Sequence, residues 1–272
     1  WGPAGKLKLI TSESQLVNVF GKPSNNCATS FFSAANFLAY GNNLQVVRTA
    51  NTDTYNADAE GSSIQILNED SYDAAYADVE SETVSFVARY PGELGNSLKV
   101  SICCANTSIN AETAFASWEY AGSFTAAPTT SSYVSAAGGS NDQIHVIVID
   151  EKGYFSNGQK NTVLEVYPFL SLAADSVNED GSTNYYRSIL RKQSKYVYAI
   201  GPTDPSNTID TWGKTVSEVT NAGYAGYQGI DVGQKVSLSG GTYGTISTAA
   251  ITSGWDLFSN SDLVDVSLLI SG

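Results

Sequence analysis

The sequence lacks several residue types on which common protein chemistries depend. It contains no methionine, one histidine and three cysteines among 272 residues. Cys27, Cys103 and Cys104 form no Cys-x-x-Cys pair and have no pair of histidines nearby, which argues against both a zinc site and a disulfide framework. Cys103 and Cys104 are neighbours on a predicted strand, where successive side chains point to opposite faces. We therefore expect them to be reduced and to pack as small buried hydrophobic side chains.

Positive charge is scarce as well. Lysine and arginine number 14 against 27 aspartates and glutamates, and the formal net charge is -13. Such a surface repels a phosphate backbone, so nucleic acid is not an expected partner. No apolar run approaches the length of a membrane span, and no basic-then-apolar leader opens the chain. We expect a soluble protein that has no membrane partner.

The single histidine limits the possible catalytic chemistry. A Ser-His-Asp triad needs a histidine between its nucleophile and its carboxylate. His145 is the only candidate, and it lies in the middle of a predicted strand on the same face as Ile147 and Ile149. The Gly-x-Ser-x-Gly sequence of a nucleophile elbow is absent from the chain. We therefore expect a structural histidine, no catalytic residues and no enzymatic activity.

Two glycine-containing segments imitate sites that bind phosphate. Gly213-Lys214-Thr215 matches the end of a phosphate-binding loop, but Thr208 stands where that loop requires its first glycine. The segment from Gly240 to Gly244 lies between a predicted strand and a predicted helix, but it lacks the spacing of a dinucleotide-binding loop. We interpret both as ordinary connections and expect no cofactor.

Acidic residues also imitate binding sites without completing them. The segment from Asn56 to Gly61 resembles the opening of a calcium loop, but its twelfth place is Leu67 where a glutamate is required. We expect a solvated turn there and no metal site. An acidic cluster follows, which is interpreted as a solvated face rather than as a glycosidase carboxylate pair: Glu69, Asp70, Asp73, Asp78, Glu80 and Glu82.

The pattern that is present most clearly is an amphipathic helix followed by a strand. Phe31, Ala34, Ala35 and Leu38 recur at the spacing of one helix face, and Gly41 stands where a left-handed cap would end the helix. The strand from Leu44 to Val47 is too apolar for simple alternation, so we expect it to be buried beneath the helix. Together they predict a small hydrophobic kernel.

Periodicity and turn residues place the other elements. Composition changes near residue 50, where a domain boundary is predicted, and a central strand from Gln143 to Asp150 is expected to form a hairpin with residues 161–167. The final apolar run from Val264 to Ile270 is expected to pair beside the strand of residues 44–47. Further strands are predicted at residues 6–10, 98–102, 195–200 and 235–238, and further helices at residues 12–20, 182–193 and 246–258.

Several of these segments carry a family resemblance. Trp1-Gly2-Pro3-Ala4, the pattern FxxAxNFLxYGNxLxVVR over residues 31–48 and the segment from Tyr90 to Gly95 resemble the tail sheath proteins of contractile-tailed, T-even-type (myovirus) bacteriophages. Shorter similarities lie at residues 237–241, 254–258 and 264–266. The resemblance covers the two ends of the chain and one central loop.

The resemblance implies a mixed α/β (α+β) fold with a discontinuous core domain. Residues 1–50 and 240–272 would form a truncated part of this sheath core domain, and residues 51–239 would form an inserted, β-rich outer domain. The chain would then be a fragment that lacks both terminal regions of the family. We expect such a fragment to be monomeric or weakly associated.

The function implied by the resemblance is structural. Copies of the protein would stack as helical rings around the tail tube, in contact with the tube protein and the baseplate, and would contract to drive the tube through the host envelope during DNA injection. The protein would reside in the virion after assembly in the host cytoplasm. The alternative is a host-surface or carbohydrate-binding module of a phage particle, with binding to loop aromatics such as Trp118 or Trp212.

Overall fold

The computed structural model describes residues 1–25, 27–76, 85–105, 110–201, 211–230, 234–260, 262 and 264–269. Two parts of the chain are treated below as the N-terminal unit, residues 1–49, and the central region, residues 51–239. The strands are β1 (Lys8–Ile10), β2 (Leu44–Val46), β3 (Phe86–Ala88), β4 (Leu98–Cys104), β5 (Gln143–Asp150), β6 (Thr162–Ser171), β7 (Val197–Ala199) and β8 (Gln234–Ser237). The helices are α1 (Glu13–Phe20), α2 (Ala28–Leu38), α3 (Glu69–Tyr76), α4 (Ala111–Ser117), α5 (Ser132–Ala136), α6 (Tyr186–Gln193), α7 (Val216–Asn221) and α8 (Thr248–Asp256), with short 3-10 helices at Glu93–Ser97 and Ala121–Ser123.

A four-stranded antiparallel sheet organises the central region, with the strand order β6-β5-β4-β8. All seven residues of β4 are buried, as are all but the first residue of β5. The strand β5 is rich in valine and isoleucine, which suit a sheet that is covered on both faces. The predicted hairpin between residues 143–150 and 161–167 is confirmed by the β5–β6 pairing.

The two faces of this sheet are covered by different clusters. Cys104 faces the larger cluster, which also contains Val100 and Val146. Cys103 faces the opposite side, where Trp118 and Ile147 pack. Both thiols are buried, so the prediction of small hydrophobic side chains on opposite faces is confirmed. Burial raises the pKa of Cys103 to about 11, which keeps this side chain in the neutral thiol form.

A second, two-stranded sheet joins β3 to β7, and α3 and α6 lie beside it. The predicted solvated acidic face is confirmed for Glu69 and Asp70, which are exposed, while Asp73 is half-buried. Glu69 and Asp73 also pair with Arg191 of α6. Asp78, Glu80 and Glu82 lie outside the described residues. The helix α3 has only weak apolar periodicity, and its acidic side chains pair with cationic side chains that are distant in sequence.

The N-terminal unit contains a two-stranded antiparallel sheet in which Lys8 stands opposite Val46. The helix predicted at residues 12–20 is confirmed: Ser12 caps α1 by accepting from the Gln15 N–H, and Gly21 ends it with a φ of 85°. The apolar sides of α1, α2 and the sheet enclose Ile10, Leu16 and Phe31. The predicted kernel is therefore present.

Two details of the kernel differ from prediction. The helix α2 ends without a left-handed glycine: Ala39 remains right-handed, and the Gly41 N–H donates to the Phe37 carbonyl. The strand β2 is half-buried rather than buried. A sheet of two strands, with α1 and α2 packed against it, leaves much of its backbone and side-chain surface accessible.

The end of the chain departs most from prediction. Residues 264–269 form no strand, so the predicted pairing of this run with β2 is wrong for the part that is described; Ile270 lies outside it. Leu268 and Leu269 are exposed instead. An apolar run becomes a strand only when a sheet edge accepts its backbone hydrogen bonds. The helix α8 makes the contact with the N-terminal unit, because a Cβ on Gly254 would lie 2.7 Å from Thr49 Cγ2.

Candidate functional site at the junction of the two units

Arg48, directly after β2, joins the N-terminal unit to the central region. Its Nη1 donates to the Gly2 carbonyl at 2.7 Å, and its Nη2 donates to the Pro91 carbonyl at 2.6 Å. The planar fork of a guanidinium spans two acceptors that a lysine ammonium cannot reach together. Burial lowers the pKa of Arg48 to about 10, so the side chain stays charged at neutral pH. Among the described residues no carboxylate pairs with Arg48.

Close backbone contacts continue the junction to the segment that follows the central region. Gly92 has a φ of 123°, and a Cβ there would lie 2.6 Å from the Tyr243 ring. A Cβ on Gly241 would lie 2.5 Å from the Gly92 carbonyl oxygen. The Asn96 side chain then holds Gly241 from both sides: it donates to the Gly241 carbonyl at 2.9 Å and accepts from the Gly241 N–H at 2.8 Å. Glycine is therefore required at both positions by space.

Trp1 anchors the start of the described chain to the central region. Its ring meets Tyr90 edge-on at a centroid distance of 5.3 Å and Phe155 edge-on at 5.0 Å. Tyr196, just before β7, lies 6.4 Å away. Such aromatic pairs each contribute roughly 0.5–1.5 kcal/mol beyond the burial of area. The N-terminal segment is thus held by ring packing in addition to the Arg48 hydrogen bonds.

The first four residue groups of the resemblance meet in this junction. Gly2 and Pro91 come from segments that are distant in sequence, and Arg48 donates to the carbonyl groups of both. Gly241, from a further segment, lies against Gly92 beside them. All four segments carry motifs of the resemblance, but the motifs alone do not predict that the segments converge. One feature of the sequence indicates a special role for Arg48: it is a charged residue directly after an apolar strand, in a unit that carries few other charges.

The segment from Asn56 to Gly61, which imitates a calcium loop, contains buried polar side chains that connect neighbouring segments by hydrogen bonds. Asn56 and Asp58 are fully buried, so the predicted solvated turn is wrong. The Asn56 amide donates to the Ala88 carbonyl at 2.8 Å and accepts from the Ile66 N–H at 2.7 Å. Asp58 accepts from the backbone N–H of Ser62 with both carboxylate oxygens. These oxygens are occupied by the protein's own donors and stabilise the loop beside the junction.

Asp150 organises the loop after β5 on which Trp1 packs. The carboxylate is buried and accepts from the Ser97 hydroxyl and from the backbone N–H groups of Phe155 and Ser156, the latter two at 2.8 Å. Burial alone would raise the pKa of Asp150, but the hydrogen bonds from Ser97, Ser156 and the backbone outweigh it and hold the pKa below its usual value. The loop is therefore fixed around an ionised carboxylate.

His145 has the environment of a structural residue. It is fully buried, and its Nδ1 accepts from the Phe169 N–H at 3.0 Å. Its Nε2 lies 2.8 Å from the Ala126 carbonyl, which requires an Nε2–H donor there. The ring stacks on Phe124 at a centroid distance of 4.2 Å. Burial lowers the pKa of His145, and both ring nitrogens are occupied by hydrogen bonds to the backbone.

The motifs that imitate a phosphate site have structural roles. Thr215 caps α7 in a reciprocal capping box with Glu218, and the Lys214 carbonyl accepts from the Tyr227 hydroxyl. Gly241 is committed to the junction. Among the residues that the structure describes, no group of three or more His, Cys, Asp or Glu side chains is arranged to hold a metal ion.

The aromatic rings named for the alternative function are not available to a glycan. Trp118 is 4% exposed, and its Nε1 donates to the Ser101 hydroxyl at 3.0 Å. Trp212 is 3% exposed, and its Nε1 donates to the Gln228 carbonyl at 2.7 Å. Both rings belong to the packed clusters of the central region. Carbohydrate binding by stacking on these two rings is thus contradicted.

An open cleft lies beside the α3–α6 contact. Its volume is about 360 Å³, and Asp73 and Arg191 in its wall are already paired with each other. Over the described ranges, no helix is long and apolar enough to cross a membrane. The motifs of this chain are most concentrated at the junction around Arg48. The contacts there hold the N-terminal unit against the central region.

Comparison with known proteins also finds similarity to tail sheath proteins. Residues 1–49 match the family model described as "Tail sheath protein Gp18 domain III N-terminal region". The tail sheath protein of Enterobacteria phage T4 is 54% identical over 54 residues, which are 20% of this chain and 8% of that protein. The tail sheath protein of Vibrio phage KVP40 is 50% identical over 54 residues, with the same two shares.

A longer match reaches into the central region. The tail sheath protein of Salmonella phage ViI is 29% identical over 154 residues, which are 56% of this chain and 21% of that protein. A sheath tail protein from Listeria innocua aligns in structure over 94% of this chain and 35% of its own length, with 12% identity and a TM-score of 0.43, which is too low to support a fold assignment.

The matches cover about a fifth or less of the length of the curated relatives. They fall on the segments whose motifs suggested the resemblance, above all on residues 1–49. The family model and the three relatives thus confirm the resemblance of this chain to the tail sheath proteins of myovirus bacteriophages.

Proposed function

We propose that this protein is a subunit of a contractile tail sheath, which polymerises around the tail tube and contracts to drive the tube through the host envelope during DNA injection. The match of residues 1–49 to the sheath domain III model is the observation that carries the proposal. The protein contributes shape and contacts between subunits, and it catalyses no reaction. Its partners are other copies of itself in stacked helical rings, the tube protein and the baseplate.

The junction supports this function through its stiffness. A sheath that contracts moves its domains as rigid bodies about their interfaces, so each subunit must transmit force between its parts without deforming. Arg48 connects two carbonyl groups from different segments, and Gly92 and Gly241 bring the backbones into direct contact. The aromatic packing of Trp1 adds a second attachment. These contacts suit a subunit that moves as one body.

Contacts between the N-terminal unit and the segment around α8 support the proposed domain division. Residues 1–50 and 240–272 form one discontinuous core domain in this proposal, and residues 51–239 are inserted between them. Gly254 of α8 packs against Val47 and Thr49, and the Asn51 side chain donates to the Thr245 carbonyl at 2.8 Å. The hydrophobic cluster of the N-terminal unit is separate from those of the central region.

Labelling of virions tests the proposed function. Antibodies raised against the 272-residue chain are applied to intact and contracted particles of the phage, and gold label is located by electron microscopy. We expect label along the whole tail shaft, with a shorter and wider labelled region after contraction. Label confined to tail fibres or to the capsid would overturn the proposal. Assembly in the host cytoplasm predicts labelled tails in infected cells before lysis.

A further inference from the structure

The edge strand β6 contains a bulge opposite His145. The register of the β5–β6 pairing shifts between Ile144 and Val146. Two residues of β6, Pro168 and Phe169, therefore stand opposite the single residue His145, and we call these two residues the β6 bulge. Since β6 is an outer strand of the four-stranded sheet, the bulge helps to keep this edge from pairing with a foreign strand.

The backbone of the β6 bulge is strained at Phe169. Its φ is 53°, in the left-handed region, where a Cβ crowds the backbone. Among the described residues, the other positions with positive φ are occupied by glycines, by Ser63 and by three asparagines. Such a backbone persists only where its surroundings hold it. The Phe169 N–H donates to Nδ1 of His145 at 3.0 Å, and the Phe169 carbonyl accepts from the Asn184 side chain at 2.9 Å.

The tautomer of His145 decides whether it can hold the bulge. Its Nε2 lies 2.8 Å from the Ala126 carbonyl, which can only accept, so Nε2 carries the proton of the neutral ring. Nδ1 is then left as the acceptor that the Phe169 N–H requires. In the imidazolium both nitrogens carry a proton. A proton at Nδ1 would thus oppose two donors to each other, whereas the hydrogen bond to Ala126 would remain.

We propose that proton binding at Nδ1 of His145 releases Phe169 and opens the β6 bulge, so that acid loosens this edge of the sheet before the rest of the sheet unfolds. The proton comes from the solvent, and no covalent bond of the chain breaks. The freed Phe169 N–H bonds to water, and its backbone leaves the left-handed region. His145 is then a pH-sensitive positioning residue. This inference does not depend on the proposed function.

The groups packed around His145 favour it as the group that titrates. Cys103 stands opposite His145 on β4, and Tyr120 belongs to the same apolar cluster. Burial raises the pKa of Cys103 to about 11 and also raises the pKa of Tyr120, so both side chains stay neutral. The charged side chains of the surrounding elements are bonded elsewhere or exposed: Lys99 pairs with Glu151, Lys235 with Glu119, Asp142 accepts from Ser171, Asp150 from Ser97 and Glu165 from Ser194, and Glu112 of α4 is exposed.

The direction of the response follows from burial. His145 is fully buried, and this lowers its pKa, so the closed bulge binds the proton less readily than an open one does. Acidification below about 6.5, the ordinary histidine value, therefore favours the open form. A single proton can raise the equilibrium constant for opening by up to about tenfold for each pH unit.

Nuclear magnetic resonance of the unaltered protein tests the release directly. The chain contains one histidine, so the ring signals belong to His145 without further assignment. We expect the Nε2–H tautomer at neutral pH. We also expect the amide signal of Phe169 to shift with the same midpoint as the ring, below about 6.5. An Nδ1–H tautomer, or a Phe169 amide that does not follow the ring, would overturn the proposal.

Two substitutions that do not titrate separate the roles of the ring nitrogens. His145→Asn places an acceptor oxygen near the position of Nδ1, so the bulge should stay closed between about pH 5 and 7. His145→Gln places its polar end near Nε2 and leaves the Phe169 N–H without an acceptor, so the bulge should be open over the same range. Circular dichroism checks that both variants fold. The resonance measurement on the unaltered protein decides by itself if either variant does not.

Hydrogen exchange measures the opening in all three proteins. Dividing the exchange rate by the intrinsic rate gives the equilibrium constant for opening. For Phe169 this constant should rise with acid in the unaltered protein, by up to about tenfold for each pH unit, and should be independent of pH in both variants. Amides of β4 should exchange much more slowly throughout. Equal behaviour of the two variants contradicts the proposal, and exchange in β4 as fast as at Phe169 would show that the whole sheet opens instead.

Discussion

The central region and the N-terminal unit bury their apolar surface to very different extents. Every residue of β4 is buried, whereas all three residues of β2 are only half-buried. The core of the central region extends over both faces of its main sheet. Among the described residues of the N-terminal helices and strands, the buried apolar ones are Ile10, Leu16 and Phe31. The central region therefore supplies its own stability, and the N-terminal unit depends more on contacts with its surroundings.

Equivalent cavity-forming substitutions in the two parts test this difference in burial. Leu98→Ala removes a fully buried side chain from β4 and should lower the free energy of unfolding by about 4 kcal/mol. Leu16→Ala in α1 should lower it by about 2 kcal/mol, because the half-buried surroundings can relax into the space. Chemical denaturation followed by circular dichroism measures both. Equal losses would contradict the difference between the two parts.

Acid should destabilise the central region before it destabilises the N-terminal unit. The pKa of Asp150 is held below its usual value, so the carboxylate contributes stability above the unfolded value of about 3.9 and loses it as the pH falls through the lowered folded value. Asp150→Asn should cost about 1–3 kcal/mol at neutral pH, since backbone donors lose an ionised acceptor. It should also flatten the dependence of unfolding free energy on pH below about 4.

A matched variant locates the effect of Asp150. Glu13→Gln changes the only carboxylate of residues 1–49, at an exposed position in the first turn of α1. Denaturation between acidic and neutral pH should show a slope for this variant like that of the unaltered protein. An equal flattening by Glu13→Gln would show that the acid response is not specific to the central region.

Loss of the guanidinium fork should loosen the N-terminal unit alone. Arg48→Lys removes one of two hydrogen bonds to carbonyl groups and should lower the free energy of local opening by about 1–2 kcal/mol. Hydrogen exchange followed by mass spectrometry should show faster exchange in residues 1–49 and unchanged exchange in β4 and β5. Lys8→Arg, the reverse exchange at an exposed position, is the control and should alter neither.

The smallest expected effect belongs to His145. Because burial lowers its pKa, the folded protein binds this proton less readily than the unfolded chain does. His145 thus contributes full stability above the unfolded value of about 6.5, and this is lost as the pH falls toward the folded value. His145→Gln should cost about 1 kcal/mol at neutral pH and remove this pH dependence. Thermal unfolding between pH 5 and 7 measures it, and an unchanged slope would contradict the assignment.

Local signals were enough to predict the parts of the fold that are organised locally. The apolar run of β5 and the short helix α1 depend on residues within a few positions of one another, and both lie where the sequence predicts them. The helix α3 was missed because its acidic residues are compensated by Arg191, far along the chain. The final apolar run shows the converse error, since Leu268 and Leu269 have strand-forming character but no paired edge.

The junction illustrates the limit of prediction from a single sequence. Each of its segments was recognised as a motif, but their meeting depends on contacts such as those of Arg48 with Pro91, which are separated by many residues. Spacing along the chain gives no information about such contacts. Burial of Asn56 and Asp58 was missed for the same reason, because their partners include residues beyond the loop itself.

Electron microscopy of the purified, full-length gene product tests the central claim most directly, namely that this protein works by assembling with copies of itself. Tubular polymers of uniform diameter are expected, and Arg48→Lys should reduce their number or regularity by loosening the subunit. A product that remains monomeric at high concentration, with and without purified tail tubes, would contradict the account.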